Sequence, residues 1–297
     1  MDIIDTIFDK IVRNLNRRSL SRIIVSRSFH FFEKYLNLHI TPVHYYSPIP
    51  NVSELGPKIF EKIYDDRGLD WNVSGQMDYL HSIFAKYSSE FTPSVNPGLT
   101  LVDSYILYAM IREKKPKMMI EVGGGESTKI SLQAFEKNEQ EGLKYKFYAI
   151  EPYPKEFIRT ISKENFKLIE KKLQDVDIDF LATADLFFID SSHVEKIGSD
   201  VNYGILEIVP KLKKGAIIHW HDIIMPTNYW KDWTYKGTMF WNESYMLHSF
   251  MLFNNTFKII WGSRYMQLNH SEAIKKQFPY FQPQKHRLTY FWVQRVR

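Results

Sequence analysis

From Lys117 onward, short apolar runs alternate with amphipathic stretches, and this alternation constrains the fold more than any other feature. Each run is too uniformly apolar for a strand with one solvated face, which indicates a parallel sheet covered on both sides. The stretches between the runs have helical periodicity. The sequence therefore predicts an α/β fold with a doubly wound, mostly parallel sheet. The runs that predict its first five strands are KMMIEV, KFYAIEP, FKLIEKKL, ADLFFID and GAIIHWHDI.

The first 98 residues lack this alternation. We expect them to form an N-terminal helical cap and wrapping loop at 1–98, before a main domain at 99–297. Helical periodicity over 1–38 is followed by a proline-rich loop and by a second helical region over 58–90. The first helix carries a basic face, which predicts packing on the body or on another subunit, or peripheral contact with an anionic membrane. The arginines of this face are Arg13, Arg17, Arg18, Arg22 and Arg27.

Net charge and cysteine content limit the partners and the chemistry. The formal charge is +5, but Lys and Arg are not interleaved with aromatic residues, so no nucleic-acid partner is expected. The chain has no cysteine, which excludes disulfides, a cysteine zinc site and a thiol nucleophile. Neither an apolar signal core nor a long apolar run occurs, which predicts a cytoplasmic protein without a membrane span. The amphipathic first helix is compatible with a homo-oligomer.

A glycine-rich turn follows the first predicted strand. Glycine lets a ligand approach the backbone closely, and the helix after the turn begins with free N–H groups. Glu151 ends the second predicted strand, where a carboxylate can accept hydrogen bonds from both ribose hydroxyls of an adenosine cofactor. Taken singly, each signal is also explained by an ordinary turn or a solvated acid. The cofactor-binding residues predicted here are Glu121, Gly123, Gly124, Gly125, Ser127 and Glu151.

The end of this turn distinguishes between nucleoside cofactors. The dinucleotide fingerprint G-x-G-x-x-G requires a small residue where Thr128 stands, and Glu126 would repel a pyrophosphate. S-adenosylmethionine has no phosphate and carries a sulfonium and an ammonium group, which acidic residues suit. Glu121 is predicted to face that ammonium. The sequence therefore favours S-adenosylmethionine over NAD.

Polar side chains also end two further strands that we expect to be neighbours. Asp190, His221 and Asp222 could hold a divalent cation such as Mg²⁺, which would bind an acceptor hydroxyl and lower its pKa. Alternatively, His193, His219 or His221 could take the proton directly as a general base. A third interpretation is that Asp190 caps a helix and the histidines pack in the core. The predicted catalytic residues are Asp190, His193 and His221.

Several separated motifs occur together, and over about residues 40–270 the chain resembles the methyltransferase family 24 branch of the class I S-adenosylmethionine-dependent methyltransferases. The resemblance implies a Rossmann-like methyltransferase sheet of about seven strands. The branch usually has Ser in the middle of the glycine turn and an aromatic residue where Glu126 stands, so this chain departs from it there. The motifs are HYYSPIP, EVGGGEST, IEPYP, IDSSHV, GSDVNY, HWHD and WNESY.

The same resemblance implies roles by position. The turn and Glu151 would line the cofactor, Asp175 would approach its adenine, and Asp190 would lie nearest the transferred methyl. The pattern of Asp190 followed by His221-Asp222 also resembles metal-dependent catechol-type O-methyltransferases, which hold magnesium with Asp and Asp-Asn. His221 and Asp222 replace that final pair here.

We expect methyl transfer from S-adenosylmethionine to an oxygen of a sugar, a glycan or another small hydroxylated acceptor. Tyr45, Tyr46, Trp241 and Tyr245 flank the core in sequence and are predicted to cover the acceptor, although packing between helices would also explain each of them. Two alternatives stay open. One is a metal-dependent enzyme of other chemistry on the same fold, such as a hydroxylase, and the other is a non-catalytic cofactor-binding subunit.

Overall fold

A seven-stranded sheet forms the centre of the computed structural model, which describes residues 29–93 and 100–297. Its strands are β1 (Met118–Val122), β2 (Lys146–Ile150), β3 (Phe166–Ile169), β4 (Leu186–Ile189), β5 (Ile217–Trp220), β6 (Phe257–Gly262) and β7 (Phe291–Arg295). The strand order is β3-β2-β1-β4-β5-β7-β6. Only β7 runs antiparallel to its neighbours. The predicted doubly wound, mostly parallel sheet is therefore confirmed.

A hydrophobic core lies on each side of the sheet. Successive side chains of a strand point to opposite sides, so one strand contributes to both cores. In β4, Leu186 and Phe188 join one hydrophobic core, whereas Phe187 and Ile189 join the other. All four are at most 3% exposed. This explains why the strands are uniformly apolar in sequence.

Helices cover both faces. They are 29–36, Pro57–Phe60, Val73–Asp78, Phe84–Lys86, Leu101–Lys114, Glu126–Gln140, Glu156–Arg159, Ile178–Leu181, Asp200–Tyr203, Lys231–Tyr235, Glu243–Met251, Ser263–Asn269 and Ser271–Gln277. Two π-helical turns, Tyr79–Ile83 and Gly204–Ile208, continue neighbouring helices. Three 3₁₀ turns complete the set: Val52–Glu54, Leu173–Asp175 and Val209–Lys211.

The part of the predicted N-terminal cap that the structure describes is joined to the sheet domain. Trp71 packs in one core and Phe84 in the other, and Ile63 forms a β-bridge with Thr227. The helical region predicted over 58–90 is interrupted, because the chain from Glu61 to Asn72 contains no helix. The boundary at residue 98 stays a prediction.

The basic face predicted on the first helix lies outside the described residues, and so do residues 94–99. The proposals of peripheral membrane contact and of subunit packing through that face therefore stay predictions. Among the helices that the structure describes, none has both the length and the apolar composition needed to cross a membrane.

Candidate active site

The carboxyl ends of four parallel strands lie in register. Val122 pairs with Ile150 on one side and with Ile189 on the other, and Ile189 pairs with Trp220. Consequently the residues that follow these four strands form one row along the edge of the sheet. That row is Gly123, Glu151, Asp190 and His221. The expectation that these positions lie side by side is confirmed.

The glycine turn at the start of this row is shaped by close backbone contacts. Gly123 has a φ of +88°, and a Cβ built on it would lie 1.7 Å from the carbonyl oxygen of Asp190. Only glycine fits there. A Cβ on Gly124 would lie 3.6 Å from the Cβ of Glu151, whereas one on Gly125 would meet no atom within 4 Å. The turn thus connects β1, β2 and β4 and leaves space beside Gly125.

Glu121 supports this turn from below. Its side chain is fully buried and accepts hydrogen bonds from Ser127 Oγ at 2.6 Å and Thr128 Oγ1 at 2.7 Å. Burial raises the pKa of Glu121 to about 8, against the effect of the two hydroxyls, and the charges of Asp190 and Glu151 act in the same direction as burial. Both oxygens are thus occupied by hydroxyl donors. Its predicted contact with an ammonium group stays a prediction.

Glu151 and Asp175 follow neighbouring strands. Glu151 is half-buried, and its Oε1 accepts a hydrogen bond of 2.8 Å from the N–H of Tyr153. Asp175 is exposed in the 3₁₀ turn that follows β3. Among the described residues, Glu121, Glu151 and Asp190 make no ion pair with Lys or Arg. Of these three carboxylates, Asp190 is paired with the imidazoles of His193 and His221.

Asp190, His193, His221 and Asp222 form a compact cluster at the ends of β4 and β5. His193 Nε2 lies 3.2 Å from Asp190 Oδ1 and 3.7 Å from Asp222 Oδ2. His221 Nδ1 lies 3.4 Å and 3.2 Å from the same two oxygens. The four atoms therefore form a closed ring, and all lie within 4.8 Å of one another. We call these four residues the Asp-His cluster.

Glu243 is a member of this site to which sequence reasoning assigned no role. Its carboxylate is 1% exposed, and Oε2 lies 2.9 Å from Nδ1 of His193. The backbone N–H groups of Asn242 and Glu243 both donate to the carbonyl oxygen of His193. The start of helix Glu243–Met251 therefore holds both the backbone and the ring of His193. The WNESY motif was the available signal, because Glu243 is its central residue.

The electrostatics of the Asp-His cluster favour charged imidazoles. Burial opposes the charge on His221, but Asp190 and Asp222 outweigh it and raise the pKa to about 9. In His193 burial is likewise outweighed by Asp190 and Glu243, so its pKa lies well above the ordinary value. Two members, His193 with a φ of 57° and Asp222 with a φ of 53°, have left-handed backbone conformations. Such conformations are costly for residues other than glycine and concentrate at functional sites.

His219 lies apart from this chemistry. Its ring is fully buried between Phe188, Tyr290 and Trp292, with ring centroids 4.3 to 4.4 Å away. Burial lowers its pKa well below the ordinary value. The structure therefore supports the interpretation of His219 as a packed core residue and not as a base.

The four aromatic residues predicted to cover the acceptor lie in different places. Trp241 contacts the ring of His193 with a centroid distance of 4.4 Å. Tyr245 donates a hydrogen bond to Asn228 and packs against Tyr229. Tyr45 and Tyr46 are 93% and 86% exposed, and their aromatic contacts involve each other and His44. Of these four, the structure brings Trp241 to the Asp-His cluster.

The chain is similar to known proteins over this region. A family model described as "Methyltransferase domain" matches residues 120–223, which include the glycine turn and the Asp-His cluster. An uncharacterized protein from Archaeoglobus fulgidus is 30% identical over 162 residues, which are 48% of this chain and 72% of that protein.

Two solved structures align with most of the chain. The SAH-bound methyltransferase PaMTH1 of Podospora anserina is 14% identical, with a TM-score of 0.44, over 76% of this chain and 94% of that one. The O-methyltransferase TomG of Streptomyces achromogenes, in complex with SAM, is 10% identical, with a TM-score of 0.43, over 79% and 92%. At these scores neither likeness carries a conclusion about activity. The family match, the relative and the motifs at the strand ends establish that the chain belongs to the class I S-adenosylmethionine-dependent methyltransferases, in the methyltransferase family 24 branch.

Proposed function

We propose that the chain binds S-adenosylmethionine against the glycine turn and transfers its methyl group to an oxygen of a small hydroxylated acceptor. The observation that carries the proposal is the row at the edge of the sheet. In it the glycine turn, the carboxylate of Glu151 and the Asp-His cluster lie side by side at the ends of four strands that are neighbours in the sheet. Ligands of open α/β sheets bind at this edge.

The residues of the turn fit this cofactor. The space beside Gly125 admits a ligand close to the backbone. The carboxylates of Glu151 and Asp190 suit a ligand with two cationic groups and disfavour a pyrophosphate. Glu151 would accept the ribose hydroxyls, and Asp190 would lie nearest the sulfonium. Asp175, after β3, would approach the adenine.

The Asp-His cluster supports transfer to oxygen. When bound, S-adenosylmethionine supplies a methyl group already activated by the sulfonium, so the protein needs no covalent intermediate. The cluster would hold the acceptor hydroxyl in line with the methyl, and one of its carboxylates, Asp190 or Asp222, would take the proton as the C–O bond forms and the S–C bond breaks. Glu243 fixes His193 and Trp241 shields it, which keeps the acceptor aligned.

The same cluster could hold a divalent cation. Tetrahedral ligands roughly 2.0–2.1 Å from an ion lie about 3.4 Å apart, and the four edges of the ring measure 3.2 to 3.7 Å. Two of its four donors are imidazole nitrogens, whereas magnesium prefers oxygen. The donor set therefore fits zinc or iron better than the magnesium that the sequence suggested as one example of a divalent cation. Such an ion would act as a Lewis acid toward the acceptor oxygen.

Replacement of Glu151 and of Asp190 tests the two halves of the proposal. Glu151→Gln removes a charged hydrogen-bond acceptor, and we expect the Kd for S-adenosylmethionine and its demethylated product to rise roughly 10- to 100-fold in calorimetry. Asp190→Ala should abolish methyl transfer while leaving that Kd largely unchanged. Turnover is scored with methyl-labelled cofactor against extracts of the source cell, followed by identification of the labelled product.

Glu164→Gln is a matched control for Glu151→Gln, because Glu164 is an exposed carboxylate near the start of β3. It should change neither quantity. Normal turnover by Asp190→Ala would refute the assignment of the reacting centre, and wild-type protein that takes up neither cofactor form would refute the function itself.

A further inference from the structure

A cavity of about 400 Å³ adjoins the Asp-His cluster. His221 and Asp222 form part of its wall, and the segment 285–290, which leads into β7, forms another part. Thr289 and Tyr290 bring this segment close to the cluster. The carbonyl oxygen of Thr289 accepts from the N–H of Ile223, and the rings of Tyr290 and His221 are 5.1 Å apart. The volume is in the range of cavities that bind small molecules.

Three further residues of this segment are basic. Lys285, His286 and Arg287 also line the cavity. Arg287 makes a two-pronged ion pair with Asp232, at 2.8 and 2.9 Å. Lys285 is exposed, and no carboxylate of the described residues forms an ion pair with it. The wall that leads away from the Asp-His cluster therefore carries an uncompensated cation.

A second guanidinium lies beside Arg287. Arg264 and Arg287 are both placed over the ring of Trp230, at 5.4 and 4.9 Å from its centroid. Arg264 is half-buried, and its side-chain partners are the neutral groups of Thr227 and Gln267. Burial and the neighbouring Arg287 lower its pKa. A half-buried guanidinium without a carboxylate is costly unless an anion approaches it.

The acids of the cavity do not cancel this charge. Asp103 also lines the cavity, but its two oxygens accept from Ser263 Oγ at 2.7 Å and from the N–H of Thr289 at 2.9 Å. Asp222 belongs to the Asp-His cluster. The two guanidiniums over Trp230, Arg264 and Arg287, and Lys285 in the cavity wall thus have a single paired carboxylate among them, Asp232.

A polar group of the cavity wall also lacks a partner. Tyr290 is 1% exposed, and its hydroxyl makes no hydrogen bond in the described part of the chain. A buried hydroxyl without a partner is unfavourable, so such groups generally bind water or a ligand. A polyhydroxy compound in the cavity could supply the missing bond.

We propose that the methyl acceptor is a small polyhydroxy compound bearing an anionic group, with its reacting hydroxyl at the Asp-His cluster and its phosphate or carboxylate at Lys285, Arg287 and Arg264. The inference rests on the proposed function for the identity of the reacting centre. It adds the chemical class of the acceptor and the residues that select it. A neutral sugar would make no use of the positive charges of Lys285, Arg287 and Arg264, which we call the basic wall.

Binding measurements without cofactor test the basic wall independently of methyl transfer. The full chain is titrated calorimetrically with inorganic phosphate, glucose 6-phosphate, glucuronate and glucose. We expect the anionic sugars to bind about 10-fold more tightly than glucose, and the tighter of the two identifies the phosphate or the carboxylate as the anchor. Lys285→Gln should weaken their binding about 3-fold, and the double variant Lys285→Gln with Arg264→Gln about 10-fold or more.

Lys276→Gln is the matched control, because Lys276 is an exposed lysine on helix Ser271–Gln277. Equal effects of Lys276→Gln and Lys285→Gln would overturn the inference. So would glucose binding as tightly as both anionic sugars, or no binding of either anion at millimolar concentration. The affinity for the demethylated cofactor, measured on the same variants, should stay unchanged. If the wild type did not bind the demethylated cofactor at all, that result would instead refute the proposed function.

Discussion

At the scale of single residues, Glu243 fixes the orientation of the His193 ring within the Asp-His cluster. A carboxylate can only accept, so the contacts with Glu243 and Asp190 place a proton on both Nδ1 and Nε2 of His193, which is the charged imidazolium that its raised pKa indicates. Glu243→Gln keeps the shape but removes the negative charge at Nδ1, which makes the imidazolium less favourable. We expect kcat to fall roughly 10- to 100-fold, with little change in cofactor Kd.

The ¹⁵N chemical shifts of the His193 ring report its protonation state and separate positioning from a general structural effect. They should change in Glu243→Gln and recover partly in Glu243→Asp. Glu272→Gln, on an exposed position of helix Ser271–Gln277, serves as control. A kcat loss with unaltered ring shifts would contradict a positioning role for Glu243.

The glycine turn allows folding and binding to be separated residue by residue. At Gly125 the backbone is extended and a Cβ meets no atom within 4 Å, so Gly125→Ala should leave the free energy of unfolding almost unchanged. It should nevertheless raise the cofactor Kd, because the added methyl occupies the space proposed for the ligand. Gly123→Ala should cost roughly 2 kcal/mol or more, because its Cβ collides with the backbone of Asp190. Chemical denaturation and calorimetry on both variants give the two quantities.

At the scale of elements, the first five strands were predictable because each is a short, mostly apolar run followed by a helix or turn. The last two could not be placed from the sequence. β7 inserts antiparallel between β5 and β6, so the chain order no longer follows the strand order. The helical segment between β4 and β5 is also irregular: it is α-helical over Asp200–Tyr203, then π-helical, then 3₁₀. Gly204 favours the change of helix type, and Pro210 lacks the N–H that a regular helix needs.

The residues of the candidate site were likewise predictable only in part. Asp190, His221 and Asp222 were predictable because they end strands whose register is fixed by the sheet. Glu243 was not, because it comes from a helix 50 residues beyond His193 in sequence and meets it only through tertiary packing. Arg264 and Lys285 lie further still along the chain. Strand-end patterns thus predict where chemistry occurs, but not which side chains orient it or select the acceptor.

At the scale of the whole molecule, the buried carboxylate under the glycine turn links global stability to pH. The pKa of Glu121 is raised from 4.5 to about 8 in the folded chain, mainly by burial. The folded state therefore holds a proton that the unfolded state releases between these values. Its contribution to stability is complete below about pH 4.5 and is lost as the pH rises through about 8. Asp103, whose pKa is raised to about 6, adds to the same slope.

Glu121→Gln removes this titration while keeping the shape of the side chain between Ser127 and Thr128. The free energy of unfolding of the wild type, measured by denaturant at pH 5, 6, 7 and 8, should fall more steeply than that of the variant. The two curves should converge toward acid pH, and the slope due to Asp103 should persist in both. Glu164→Gln, at an exposed carboxylate, should follow the wild type. Parallel curves for Glu121→Gln and the wild type would mean that Glu121 titrates as in the unfolded chain. The carboxylate under the turn would then be more solvated than the sheet edge described here allows.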